Sequence, residues 1–220
     1  MIIRWIGHSC FMLTSTDGTM IVTDPFDESV KCVFPSIEPD AVTVSHQHHD
    51  HNAVSRFGNS PRVFSEYGSE DEIFPEIKLR GFLTYHDDEK GAKRGENIVY
   101  MMEIDGIRVL HLGDLGCSLD EDTIAEIGRV DVLMIPVGGF FTMDAETAAR
   151  ITKRLSPSVV IPMHYKNEST DDWQISDEKQ YLDMMGYDAA QTVEALRIMP
   201  EDLTDQPECA LFAPAFGFSK

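Results

Sequence analysis

Residues 45–52 read Ser45-His46-Gln47-His48-His49-Asp50-His51-Asn52, and they directly follow an apolar run that begins at residue 41. In an extended segment, side chains at i and i+2 point to the same side, so His46 and His48 face together while His49 points away. A short turn can bring Asp50 and His51 around to join them. Zinc and similar metals prefer imidazole and carboxylate ligands, and these groups are costly to bury unpaired. The spacing HxHxDH therefore predicts a metal site at the end of a buried strand, rather than a surface patch of histidines.

Three further polar residues stand just beyond strand-like apolar runs. They are His86, Asp114 and His164, and they follow the runs 81–85, 109–113 and 159–163. A side chain in such a position is held rigidly by its strand yet remains open to a ligand. We therefore expect these three residues to complete the site that begins in residues 46–51.

Apolar runs and turn signals predict an α/β fold in which strand hairpins precede an alternation of strands and helices. Asp17-Gly18 and Asp105-Gly106 are hairpin turn signals. The predicted strands cover residues 2–6, 10–14, 19–23, 41–45, 99–104, 107–112, 132–136 and 159–162. The predicted helices cover residues 119–127, 145–155 with Asp144 as N-cap, and 178–185. This order indicates sheets inside and helices outside, and we expect a single domain over residues 1–220.

The composition narrows the expected partners and compartment. The 220 residues carry a formal net charge of −20, which argues against nucleic acid and anionic membranes as partners. No apolar stretch approaches the ~20 residues of a membrane span, and the first residues lack a signal-peptide pattern, so we expect a cytoplasmic protein. The four cysteines form no CxxC pair, and we interpret them as reduced structural residues.

The sequence resembles the metallo-β-lactamase superfamily over nearly its whole length. Besides HxHxDH, the resemblance rests on Trp5-Ile6-Gly7-His8-Ser9-Cys10-Phe11, Thr23-Asp24-Pro25, Gly95-Glu96-Asn97, Leu112-Gly113-Asp114, Phe141-Thr142-Met143-Asp144 and Ile161-Pro162-Met163-His164-Tyr165. Several of these motifs are similar to the branch that contains the ascorbate-6-phosphate lactonase and many metal-dependent hydrolases. The resemblance implies a four-layer αββα sandwich, in which two sheets pack face to face between helical layers and the metal site lies at one edge of the sheets.

The resemblance also implies two divalent metal ions, with zinc as the first choice and manganese or iron as alternatives. The implied ligands are His46, His48 and His86 for the first ion, Asp50, His51 and His164 for the second, and Asp114 as the bridge. His111 is the alternative to His86. It lies within the strand that already delivers Asp114, so two ligands would have to leave that strand close together.

The activity implied by the resemblance is hydrolysis, in which a metal-bound hydroxide attacks a small ester, lactone or phosphorylated metabolite. Asp50 and Asp114 are the expected catalytic residues, and Asp50 would accept a proton or orient the nucleophile. We expect a small-molecule substrate, and an anionic one would be bound by Arg94, Asn97 and Tyr165.

Residues near the ends of the N-terminal strands are expected to support this site. His8 and Asp24 match residues typical of the branch, and we expect at least one of them to form a hydrogen bond with a metal ligand. Four aromatic residues are interpreted as core or pocket wall: Trp5, Phe11, Phe140 and Phe141.

Two other functions would use the same histidine cluster. One is a redox enzyme resembling the mononuclear-iron persulfide dioxygenases, and the other is a metal-binding protein without turnover.

Within the superfamily, Asp114 stands where some β-lactamases have a cysteine ligand, and His48 stands where flavodiiron oxygen reductases have a glutamate. The chain also has no GxSxG motif. These features argue against a β-lactamase with a cysteine ligand, against a flavodiiron oxygen reductase and against a serine nucleophile. The substrate and the oligomeric state are not specified by the sequence.

Overall fold

The computed structural model describes residues 1–68, 71–188, 192–205 and 207–219. Its strands are β1 (Ile2–Gly7), β2 (Cys10–Thr14), β3 (Met20–Thr23), β4 (Ala41–Thr43), β5 (Arg62–Phe64), β6 (Asp71–Phe74), β7 (Ile77–Tyr85), β8 (Glu96–Ile104), β9 (Ile107–His111), β10 (Val132–Pro136), β11 (Val159–Met163), β12 (Thr192–Val193), β13 (Leu196–Arg197), β14 (Glu208–Cys209) and β15 (Leu211–Phe212). Its α-helices are α1 (Glu121–Ile127), α2 (Ala145–Leu155) and α3 (Lys179–Met185), and short 3-10 helices cover Val54–Phe57, Glu168–Thr170 and Pro200–Asp202. Every predicted strand and helix is present, with ends that differ by at most three residues.

Two mixed β-sheets form the centre of the molecule. The strand order is β13-β1-β2-β3-β4-β5 in the first sheet and β14-β11-β10-β9-β8-β7-β6 in the second. In the first sheet β1 and β3 are both antiparallel to β2, and β3 and β4 are parallel. In the second sheet β7 and β9 are both antiparallel to β8, while β9, β10 and β11 are parallel. The carboxyl ends of β1, β3 and β4 therefore share one edge of the first sheet, and those of β7, β9 and β11 share one edge of the second.

The predicted hairpin turn at Asp105-Gly106 is confirmed by its backbone angles. Ile104 pairs with Ile107, so Asp105 and Gly106 alone connect β8 to β9. Their φ angles are 54° and 76°. A two-residue turn that requires positive φ at both central positions matches the twist of the flanking strands, and Asp-Gly adopts it readily.

The apolar residues of β3 and β4 alternate between two cores. Ile21 and Ala41 belong to the main core between the sheets, whereas Val22 and Val42 belong to a second cluster on the outer face of the first sheet. The 3-10 helix Val54–Phe57 covers that outer face. On the second sheet, α2 packs against β10 and α3. This arrangement confirms the predicted four-layer αββα class.

Helix capping explains where the main helices begin. Asp144 Oδ1 accepts a hydrogen bond from Thr147 N at 2.8 Å, which confirms its predicted role as N-cap of α2. The predicted helix 119–127 begins later, at Glu121, because Asp120 is its N-cap and accepts from Thr123 N at 2.7 Å. All four cysteines are free. Among the described residues, none of the helices combines the length and apolar character that a bilayer crossing requires.

Candidate metal centre

The histidine-rich stretch leaves the first sheet at the end of β4. His46 and His51 are buried, whereas His48 is exposed, and His48 Nδ1 lies 3.0 Å from His46 Nε2. His49 points away from this group, and its ring contacts Asp27 at the surface. The turn after β4 therefore gathers the side chains that the i, i+2 spacing predicts to face together.

Asp114 lies at the centre of the site. Its Oδ2 atom is 3.2 Å from His51 Nε2 and 3.9 Å from His46 Nε2, both in the segment after β4. The same oxygen is 3.3 Å from His86 Nε2, after β7, and 3.1 Å from His164 Nε2, after β11. One carboxylate oxygen thus faces nitrogens delivered by both sheets.

All seven residues predicted as ligands converge here. Donor atoms close enough to share an ion are found in three groups: His46, His48 and His86; His8, Asp50, His51 and His164; and His46, His51 and Asp114. His111 is absent from these groups, since its Nε2 lies 2.9 Å from the carbonyl oxygen of Ser9 and its Nδ1 accepts from Gly113 N. The geometry thus favours His86 over His111.

Unsatisfied buried atoms indicate that the cluster suits a metal ion. His51 Nε2, which faces Asp114, is buried and has no hydrogen-bond partner among the described residues, and the same holds for Asp114 Oδ1. Such groups are rare in native proteins without a partner or ion. The donor set of imidazoles and carboxylates is the one that zinc, manganese and iron accept.

The electrostatics of the cluster leave carboxylates ionised. Burial alone would raise the pKa of Asp114, but His164 and His51 outweigh it and hold that pKa well below the usual range. Burial, together with His51, lowers the pKa of His46 to about 3. His51 is the exception, because Asp114 and Asp50 overcome its burial and raise its pKa. An ion that replaces the proton of His51 would meet a negative, largely deprotonated site.

Asp24 supports the cluster from behind, as predicted for at least one of the residues at the N-terminal strand ends. It is fully buried, and its Oδ2 accepts from His51 Nδ1 at 2.9 Å and from Ser45 Oγ at 2.6 Å. Its Oδ1 accepts from Ser45 N at 2.7 Å, and Ser45 Oγ is also 3.0 Å from His46 Nδ1. A carboxylate in this position fixes the ring orientation of a ligating histidine and directs its other nitrogen towards the ion.

Asn97, which the sequence predicts to bind substrate, lies in the protein interior rather than in the wall of the cavity. Asn97 is fully buried, and its Oδ1 accepts from Asp114 N at 2.9 Å. Its Nδ2 donates to Thr84 Oγ1 at 2.8 Å and to Leu112 O at 3.0 Å. With its amide fully used inside the protein, Asn97 fixes the backbone turn that carries Asp114.

Two glycines allow the ligand-bearing segments to approach closely. Gly113 has φ 55°, and a Cβ atom there would lie 2.5 Å from Asn97 Oδ1 and from Ser45 Cβ. A Cβ atom on Gly116 would lie 2.3 Å from the carbonyl carbon of His86. Larger residues at these positions would push apart the turns that bring the site together.

A cavity of about 740 Å³ opens over the cluster. Arg94, Phe141 and Trp173 line it together with several cluster residues, and the Arg94 guanidinium lies 5.8 Å from the centre of the Phe141 ring. Tyr165 does not line this cavity: it is buried, and its ring stacks on Trp5 at 5.9 Å. The expectation that Tyr165 contacts substrate is therefore not supported, whereas Arg94 lies where predicted.

Asp87, which is not among the predicted site residues, organises the loop that carries Arg94. The Asp87 carboxylate accepts hydrogen bonds from four backbone N–H groups, those of Glu89, Gly91, Lys93 and Arg94, at 2.7–2.9 Å. A carboxylate two or more residues before a glycine-containing loop is a usable signal for such a turn. The turn links His86 directly to Arg94.

Comparison with known proteins places the chain in a family. The sequence model of the β-lactamase superfamily domain matches residues 2–164. A metal-dependent hydrolase of Thermoplasma acidophilum is 29% identical over 223 aligned positions, which cover 90% of this chain and 95% of the relative. The fold and the donor cluster thus define an αββα protein with a candidate metal site at one edge of its sheets. The chain belongs to the metallo-β-lactamase superfamily, and its class within that superfamily is metal-dependent hydrolase.

Solved structures agree with this assignment. A metallo-β-lactamase-superfamily protein from Thermotoga maritima, proposed to be a zinc-dependent hydrolase, is 32% identical and superposes with a TM-score of 0.76, covering 96% of this chain and 97% of the other. An isothiocyanate hydrolase from Delia radicum gut bacteria superposes with a TM-score of 0.67 over 100% of both chains, but it is only 14% identical. The second similarity extends to the fold alone.

Proposed function

We propose that the protein is a two-metal hydrolase of small ester, lactone or phosphorylated metabolites that carry an anionic group. The observation that carries this proposal is the position of Asp114 Oδ2, within 3.1–3.9 Å of imidazole nitrogens from four histidines. A carboxylate oxygen that faces two groups of nitrogen donors is suited to bridge two ions. A single ion would leave one of these groups without a partner.

The proposed ligands divide into two sets with one bridge. His46, His48 and His86 would hold one ion, Asp50, His51 and His164 the other, and Asp114 both. When bound, the two ions would supply a hydroxide nucleophile at neutral pH and would polarise the carbonyl or phosphoryl oxygen under attack. Zinc is our first choice of metal, and manganese or iron would accept the same ligands.

Asp50 is the proposed group that orients the nucleophile. Its carboxylate lines the cavity, and its Oδ2 lies 3.7 Å from His51 Nε2. Burial would raise the pKa of Asp50, but His51 and His8 overcome this and lower it, so the carboxylate is ionised at neutral pH. An ionised carboxylate in this position accepts a hydrogen bond from the attacking water and aligns it with the substrate.

Arg94 is the proposed anchor of the anionic group. Its guanidinium faces the cavity, and no carboxylate among the described residues forms an ion pair with it. Arginine binds phosphate and carboxylate groups through two parallel hydrogen bonds. Because Asp87 fixes the loop, little ordering is required when a substrate binds. Phe141 and Trp173 would contact the apolar part of the substrate.

Two observations support a small molecule as the partner. The cavity volume of about 740 Å³ falls within the range of about 300–1,000 Å³ typical of small-molecule sites. The net charge of −20 would repel nucleic acid and anionic membranes. An anionic substrate would approach against this field and would depend on the local positive charge of Arg94.

Metal analysis tests the two-metal proposal. After loading with zinc or manganese and removal of excess ion, we expect close to two ions per chain, and a clear loss in Asp114→Ala. Asp27→Ala is the matched control, because the Asp27 carboxylate contacts His49 and Ser29 and lies outside the groups of donor atoms found among the described residues. No more than one ion per chain, with Asp114→Ala unchanged, would contradict the proposal.

Two other outcomes would replace the proposed activity. One iron per chain with oxygen-dependent turnover would favour a persulfide dioxygenase-like enzyme. A fully loaded protein that turns over no lactone, thioester or phosphodiester in a broad panel would favour metal binding without catalysis.

The role of Arg94 is tested with pairs of anionic and neutral substrates. Arg94→Ala should raise KM for the anionic member of each pair by roughly tenfold or more, the loss of about one charge-assisted hydrogen-bonding group. The neutral member should change little. Lys93→Ala is the matched control, since Lys93 is exposed in the same loop and pairs with Glu89. Equal effects on both substrates would remove the assignment.

A further inference from the structure

His8 is held in a strained conformation beside the cluster. It lies in the turn between β1 and β2 with φ 55°, an uncommon angle for a residue with a side chain. Its carbonyl oxygen accepts a hydrogen bond from Trp5 Nε1 at 2.8 Å and lies 3.5 Å from His164 N. Strain of this kind persists where surrounding contacts fix a functional geometry.

Apart from an edge contact with the Trp173 ring at 5.0 Å, the His8 ring lies against residues of the cluster. It is buried, and neither ring nitrogen has a hydrogen-bond partner among the described residues. Its Nε2 lies 3.4 Å from Asp50 Oδ2, without hydrogen-bond geometry. The ring centre is 4.1 Å from that of His164 and 5.1 Å from that of His51. A buried imidazole with two unsatisfied nitrogens is rare in a native protein, and an ion bound beside it is one arrangement that satisfies it.

Contact with substrate does not explain His8. The residue is only 1% exposed and does not line the cavity, so the ring is shielded by the residues that do. The groups within reach of Nε2 are instead Asp50, His51 and His164, and the four donor atoms lie within 4.8 Å of one another.

We propose that His8 is an additional ligand, through Nε2, of the divalent ion held by Asp50, His51 and His164. This inference rests on the proposed metal-dependent function. That ion would then have five protein donors, three imidazoles and the carboxylates of Asp50 and Asp114. The other ion would have four. Five donors exceed the four of a tetrahedral structural zinc site, but zinc can expand to five ligands, and Mn²⁺ and Fe²⁺ would accept the same set.

NMR with a spin-active cadmium isotope tests this assignment directly. The full chain is produced with isotopically labelled histidine and loaded with that cadmium isotope. A bond between metal and nitrogen produces scalar coupling between the two nuclei, which a hydrogen bond to Asp50 does not. We expect coupling at one ring nitrogen of His8, as well as at His51 and His164.

Two variants identify the signal. In His8→Asn one coupled imidazole signal should be lost, and asparagine tolerates the positive φ of this position. His111→Asn is the matched control, because His111 is equally buried but lies outside the cluster, and all couplings should remain. If His8→Asn does not fold, through-bond correlations in the unmodified chain assign the signal.

The outcomes separate the two proposals. Coupling at His51 and His164 with none at His8 would overturn the His8 assignment and leave the metal site intact. Absence of coupling at every histidine would overturn the proposed metal centre itself.

Discussion

Asp24→Asn is the sharpest test of how the centre is built. The substitution keeps the shape of the side chain and replaces one carboxylate oxygen by an NH₂ group. Asp24 accepts three hydrogen bonds, from Ser45 N at Oδ1 and from Ser45 Oγ and His51 Nδ1 at Oδ2. An amide has only one oxygen, so it cannot accept at both positions.

Both orientations of the amide are unfavourable. If its oxygen takes the Oδ2 position, the NH₂ group faces the N–H of Ser45 at about 2.7 Å, donor against donor. If its oxygen takes the Oδ1 position, the NH₂ group faces His51 Nδ1, which must then accept. In that case the ring proton moves to Nε2, the nitrogen that faces Asp114 at 3.2 Å, and blocks it as a ligand.

The expected loss follows from these contacts. Disturbing the carboxylate behind a ligating histidine costs roughly 10–100-fold in metal affinity. This corresponds to about 1.4–2.8 kcal/mol. We expect the larger end of the range, because the site is buried and no water-exposed group can replace Asp24.

Chelator competition with zinc, followed by metal analysis, measures the effect. Asp27→Asn serves as the control, since the same substitution three residues further on affects a half-buried carboxylate that contacts Ser29 and His49. Unaltered zinc affinity in Asp24→Asn, in a protein with a normal unfolding transition, would show that Asp24 does not position His51.

Three further predictions concern packing, pH and the cavity loop. Gly116→Ala would place a Cβ atom 2.3 Å from the carbonyl carbon of His86, so the two turns must separate, and we expect a loss of about 1–3 kcal/mol in urea unfolding. Burial, reinforced by His164, lowers the pKa of His8 from 6.5 to about 4. Between pH 6.5 and about pH 4, His8 is protonated in the unfolded chain but not in the folded metal-free protein. Stability should therefore fall on acidification through that window, by an amount on the order of 3 kcal/mol for this residue. Asp87→Ala should speed hydrogen exchange of the amides in the loop 88–94 that the carboxylate holds.

Each of these predictions has its control. Gly68→Ala should be neutral, because nothing lies within 4 Å of its would-be Cβ atom. The slope of stability against pH should flatten in His8→Asn, and an unchanged slope would contradict the assignment to this residue. Asp88→Ala is the control for Asp87→Ala, because it removes an exposed carboxylate from the same loop. If the loop amides exchange equally slowly in both variants, the hydrogen bonds of Asp87 do not hold the loop.

The sequence predicts the fold and the convergence of the cluster because both depend on local patterns. The spacing of His46, His48, Asp50 and His51 is contained in six residues. His86, Asp114 and His164 were found from one rule, a polar residue just beyond a strand. The parallel arrangement of β7, β9 and β11 then brings those three residues to one edge.

The side-chain directions of Asn97 and Tyr165 could not be predicted from spacing, because they depend on tertiary contacts. Asn97 lies within β8, opposite Thr84 in the ladder, so its amide faces the interior rather than the cavity. Tyr165 follows a proposed ligand in the sequence, but His164 has φ 50° and the chain turns there, which directs Tyr165 onto Trp5. The same kind of left-handed residue places the His8 ring inside the cluster. The spacing of residues in the sequence does not predict the positive φ angles of His8 and His164.

The division of the cluster between the two sheets has a consequence for folding. Residues 46–51 leave the first sheet, whereas His86, Asp114 and His164 leave the second. A growing chain that has not yet supplied β11 lacks His164, so it holds the proposed ligands of only one ion, His46, His48, His86 and Asp114. Once both sheets have docked, an ion that binds only the native state stabilises it by mass action, by about 2.7 kcal/mol at a free concentration of 100 times Kd. Both proposed ligand sets draw on the two sheets, so bound metal would join the sheets and slow their separation.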